Sequence, residues 1–124
     1  MTIAALEYMK NLMQSMGIPY EFMRWNIEPP ECYFVGEYLE SPSTVREESG
    51  KQDSTFILRG FTRGSWLQLE QYKAIIEKNC ARTAILADGS GIAVFYDSAT
   101  IVPTMDNELK SIKINLSIQE WRVK

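Results

Sequence analysis

The residues able to do chemistry are few, and their spacing works against catalysis. No histidine occurs among the 124 residues. The commonest general base is therefore missing, and with it the Ser–His and Cys–His nucleophile pairs. Two cysteines, Cys32 and Cys80, lie far apart, and neither belongs to a Cys-x-x-Cys pair. With no histidine to join them, they offer no zinc-binding set. Both read as small buried hydrophobes of a reducing compartment. Carboxylates are neighbours at Glu47 and Glu48 and again at Asp106 and Glu108, each pair in a polar stretch. Water solvates both charges there, so ordinary acidities are expected. Asp88-Gly89-Ser90-Gly91 lacks the Gly-Lys-Ser/Thr ending of a phosphate loop and reads as a turn. Neither an enzyme nor a cofactor is expected.

Binding is the remaining class of function. Arg59-Gly60-Phe61 matches the start of an RNA-recognition signature, but Thr62-Arg63-Gly64 stands where small and aromatic residues are required. Lys and Arg total 13 against 16 Asp and Glu, a net charge of −3, without the cationic surplus of a duplex binder. No specific nucleic-acid binding is expected. The stretch Glu40–Ser54 is different in kind. Its single apolar residue is Val45, and Arg46, Glu47, Glu48, Lys51 and Asp53 mix both signs. Mixed charge suits reciprocal pairing across a protein interface better than capture of one charged ligand. With Arg59 and Phe61 on the strand that follows, these residues form the candidate interface.

The elements that must position this stretch follow from periodicity. Thr2 caps a helix over residues 3–16, with Ile3, Leu6, Met9, Leu12, Met13 and Met16 on one face as core packing, and Gly17 and Pro19 stop it. Tyr20–Trp25 reads as a short strand, broken by Pro29-Pro30. Cys32–Leu39 and Thr55–Arg63 read as long strands flanking the polar loop, and both are apolar on both sides. Ser65-Trp66-Leu67-Gln68 has capping-box form and opens a helix to about Asn79, with Trp66, Leu69, Tyr72, Ile75 and Ile76 as its apolar stripe. Thr83–Ala87 and Ile92–Tyr96 flank a glycine turn as a hairpin. In Leu109–Val123, Ile112, Ile114, Leu116 and Ile118 alternate with polar residues, while Trp121 and Val123 leave that phase, which predicts a bulge or strand end near Glu120.

These elements define a single α+β domain over residues 1–124, with a mostly antiparallel sheet of four to five strands, two helices on one face and a long loop between the two central strands. Two helices of this length cover one sheet face and not both. A strand apolar on both sides therefore predicts either a curled sheet or cover from a neighbouring subunit. The N-terminus has no signal-peptide pattern, and no apolar run approaches the ~20 residues of a membrane span, so a soluble protein made in the cytoplasm is expected.

The order of these features resembles a known family. A helix ends in Gly17–Tyr20 (Gly-Ile-Pro-Tyr), and the proline-led aromatic strand Pro30-Glu31-Cys32-Tyr33-Phe34-Val35 follows. An Asp-led strand, Asp53–Thr62, a helix beginning Ser65-Trp66-Leu67 and a last strand ending Glu120-Trp121 complete the series. The series is similar to the tail terminator and head–tail joining (tail completion) proteins of long-tailed, non-contractile bacteriophages and Gram-positive prophages. Cys80–Tyr96 departs most from that pattern. The resemblance implies an α+β domain that forms a homo-oligomeric ring, typically a hexamer, on the head-proximal end of the tail tube. There it would stop tube growth and join tail to head. Its implied partners are further copies of itself, the tail tube protein and head connector proteins, with no catalytic residues. The alternatives are a non-enzymatic host interaction or ligand-binding module and, third, an RNA-binding protein.

Overall fold

A computed structural model of the chain describes residues 1–40 and 51–121. Helix α1 spans Ile3–Ser15 and opens at Thr2, whose hydroxyl accepts from the Ala5 amide at 3.1 Å. It buries Ala5, Met9, Leu12 and Met13, so the methionines pack into the core, while Ile3 is exposed. Gly17, at φ +71°, lets the chain turn out of the helix into strand β1, Tyr20–Phe22. Strands β2 (Cys32–Glu40) and β3 (Lys51–Thr62) follow. Helix α2 spans Trp66–Asn79, then come β4 (Ala81–Ile85), β5 (Gly91–Val102) and β6 (Lys110–Trp121).

The strands form one six-stranded sheet in the order β1-β2-β3-β6-β5-β4. Every neighbouring pair is antiparallel except β1 with β2, which is parallel. The sheet is therefore larger than the expected four to five strands, and it is mixed. Parallel neighbours usually need a helical crossover. Here residues 23–31 make the connection without one.

Both helices pack on the same sheet face. Met9, Leu12 and Met13 of α1 and Leu69 and Ile76 of α2 share one cluster with Phe34, Phe56, Leu58 and the β6 residues Ile112, Ile114, Leu116 and Ile118. Each of these sheet residues follows the two-residue period, so the β6 alternation read from the sequence is the observed one.

Several boundaries differ from expectation, each for a packing reason. The polar stretch is shorter than Glu40–Ser54: Glu40 pairs with Ser54, and Lys51, Gln52 and Asp53 pair with Trp121, Glu120 and Gln119. Poor strand formers are held there by a strand on the other side. Its strands β2 and β3 are neighbours, whereas β3 and β6 are the central pair. β6 carries no bulge at Glu120, and its described span runs one residue further, to Trp121. Glu120 continues the buried face and Trp121 the opposite one, above Gly91, where any Cβ would overlap the indole. Val123 lies outside the described residues. The register shift lies in β5 instead, between Tyr96 and Ser98. Ser65 caps α2 through the Leu67 amide at 3.0 Å, not through a reciprocal box. Gln68 Oε1 is instead taken by the Thr62 hydroxyl at 2.8 Å. Trp66 stays exposed and does not join the buried stripe.

Candidate functional site

The sheet face opposite the helices is where the candidate residues meet. Alternation along β3 puts Lys51, Asp53, Thr55, Ile57, Arg59 and Phe61 on that face. Four residues expected at the interface (Lys51, Asp53, Arg59 and Phe61) therefore share one side of one strand. Val45, Arg46, Glu47 and Glu48 lie outside the described residues. Lys51 and Asp53, expected in a loop, are strand residues and exposed.

Across the β2–β3 pair, Tyr33 stands opposite Phe61, Val35 opposite Arg59 and Glu37 opposite Ile57. The Tyr33 and Phe61 rings stack at 5.4 Å between centroids. Arg59 Nε donates to Glu37 Oε1 at 2.6 Å, a charge-assisted contact in half-exposed surroundings. That carboxylate matters because Arg59 also faces Lys113 of β6, and like charges directly opposite one another are destabilising. Leu39 and Phe95 leave large apolar surface exposed on the same side of the sheet. The result is a face of apolar and aromatic side chains interspersed with both signs of charge.

One end of the face is shaped into a groove of about 460 Å³. Its far wall comes from the connection after β1. Met23 sits at φ +69°, and the Arg24 amide donates to the Phe22 carbonyl at 2.8 Å, so the chain reverses in three residues. Trp25 then lies edge-on to Tyr33, centroids 5.9 Å apart, and its indole N–H donates to the Phe34 carbonyl at 3.2 Å. Pro29 completes the wall, Arg24 stands at the rim, and the Arg59–Glu37 pair lies alongside. Sequence reasoning missed Arg24, Trp25 and Pro29. The Trp-to-Pro-Pro spacing was the available signal, but the positive φ at Met23 that folds this segment over β2 has none.

The other chemistry-bearing residues lie apart from this groove. Cys32 and Cys80 are free and buried. Burial pushes both thiols up, Cys80 to about 11. Asp106 departs from the ordinary acidity expected of it. It accepts from the Glu108 amide at 2.9 Å and pairs with Arg63 at 2.8 Å, and both hold its carboxyl below the usual range. A buried carboxylate that sequence reasoning took for a strand boundary is Glu120. Its Oε1 accepts from the Thr2 hydroxyl at 2.7 Å and the Thr2 amide at 3.2 Å, while Oε2 has no partner among the described residues.

Among the described residues, no three metal-ligating side chains converge, and no helix is long and apolar enough to cross a membrane. No protein-family model matches the sequence, and no curated protein matches it at a significant level.

Proposed function

We propose that this chain is a virion structural protein, a tail terminator that assembles in the host cytoplasm as a homo-oligomeric ring. The ring caps the head-proximal end of a phage tail tube, stops its growth and joins tail to head. Its partners are further copies of the chain, the tail tube protein and the head connector proteins. It works by shape and contact, without catalysis or a cofactor. The sequence resemblance motivates this reading. The observation that carries it is the sheet face opposite the helices, where Tyr33, Val35, Ile57 and Phe61 are only half-buried and Leu39 and Phe95 are exposed. An apolar patch interspersed with charge, here the Arg59–Glu37 pair, is the composition of a protein interface. Fully burying one such side chain contributes about 1.5–3 kcal/mol, so a handful suffices to hold a subunit in place.

Co-sedimentation with tail tubes tests the reading. Ile57→Lys puts a charge in the middle of the face and leaves the helix-side core alone. We expect tube binding to fall at least tenfold while thermal unfolding stays close to that of the parent protein. Unchanged binding would contradict the proposal.

The groove beside Trp25 favours a second reading, a non-enzymatic host interaction or ligand-binding module. A gene lying between head and tail genes supports the first reading, and a host locus without phage neighbours supports the second.

A further inference from the structure

The groove has a chemical counterpart elsewhere on the same chain. Between β5 and β6 the turn over residues 103–109 is closed by its own hydrogen bonds. The Thr104 hydroxyl lies 2.6 Å from both the Asp106 and Leu109 carbonyls, the Leu109 amide donates to the Asp106 carbonyl at 3.1 Å, and Arg63 anchors Asp106. At the tip of this built turn, Met105 is fully exposed, 105% of the reference area. A hydrogen-bonded turn that presents a bare methionine is unusual, because exposed tips normally carry polar side chains. Glu108 stands beside it, exposed and without an ion-pair partner among the described residues.

We propose that two copies of this chain join through this pair of features, the Met105 turn of one copy seated in the Trp25–Tyr33–Phe61 groove of the next, with Glu108 of the first facing Arg24 of the second. The fit is chemical on both counts. A thioether is favourable against aromatic rings, and the groove offers three. Arg24 stands at the groove rim with no ion-pair partner among the described residues, and the turn brings the opposite charge. The contact joins unlike patches, so it can propagate from copy to copy, and a propagating contact whose rotation closes makes a ring. This rests on the ring reading above and names the residues that would join its subunits. The strained backbone at Met23, which sets the groove wall, is the sort of feature that persists where a site depends on it.

Charge reversal in two separate proteins gives the test. Arg24→Glu alone sets two carboxylates against each other across the contact, and Glu108→Arg alone sets two guanidinium groups against each other. Mixed, each variant's groove matches the other's turn. Sedimentation equilibrium from micromolar to millimolar protein should show the parent associating and each variant weakened at least tenfold. An equimolar mixture should recover the parent's association. Met105→Glu should dissociate it alone, and thermal unfolding checks that all variants remain folded. A parent protein that stays monomeric throughout, variants that associate like the parent, or a mixture that fails to recover would each overturn the proposal. If the variants behave as proposed but the parent does not bind tail tubes, the tail reading falls and this contact stands. If the parent associates and the variants do too, the contact falls while a ring built otherwise remains.

Discussion

At the scale of residues, Glu120 and Thr2 form one unit. Thr2 caps α1 and also supplies both hydrogen bonds to a carboxylate buried among β6 hydrophobes. Removing its hydroxyl loses a cap worth about 1 kcal/mol and strips a donor from a buried polar group, a further ~1–3 kcal/mol. Thr2→Ala should therefore lower stability by about 2–4 kcal/mol in urea titration. The cost should shrink when Glu120→Gln is added, because the pair is coupled. Gly60 is a second such point. Phe34 lies over it from the paired strand, and a Cβ there would meet the ring at 2.5 Å. Its place in Arg59-Gly60-Phe61 thus has a packing reason unrelated to nucleic acid. Gly60→Val should abolish cooperative unfolding or lower its midpoint sharply, whereas Gly89→Asn, in an open turn at φ +88°, should be mild. Cys80, with its thiol pushed up to about 11, holds roughly a thousandth of its population as thiolate at pH 8. Native protein should react with a thiol reagent far more slowly than urea-unfolded protein, and equal rates would show that the site is open.

At the scale of elements, period and pairing explain what was legible. The β6 pattern Ile112, Ile114, Leu116, Ile118 identified its buried face because that is the side on which the helices pack. The helix starts at Thr2 and Ser65 were legible because a cap is a local interaction. What escaped was non-local. Lys51–Ser54 reads as loop by composition and becomes strand because Ile118–Trp121 runs beside it. The parallel β1–β2 pair escaped because residues 23–31 cross without a helix to announce it. Of the candidate site, the strand residues Arg59 and Phe61 were legible from alternation, whereas the groove depends on one backbone turn at Met23. The turn between β5 and β6 makes its own prediction. Asp106 titrates below the ordinary carboxylate range when folded, so it favours the folded state above its unfolded value near 3.9, and that contribution is lost as pH falls through the lower folded value. Asp106→Asn should therefore narrow the stability difference between pH 7 and pH 3, and a difference unchanged by the substitution would show that the turn contributes nothing to it.

At the scale of the whole molecule, the helices cover one face of the sheet, and among the described residues no helix covers the other. That other side of the six-stranded sheet keeps half-buried aromatics and paired charges in view. In the proposed role it makes contacts between subunits or with the tail tube, and the polar connection after Glu40 joins the same β2–β3 pair. Replacing residues 41–50 by a short turn spares every described strand pair, so the domain should keep its unfolding midpoint within a few degrees while tail capping is lost. Loss of folding would instead make that stretch part of the domain's support. The most direct measurement of the central claim is electron microscopy of tail tubes grown with and without the purified protein. The account predicts a ring-shaped cap on one end of each tube and a fixed tube length in its presence. Tubes that show no end-bound density at any protein concentration, with lengths unchanged, would contradict it.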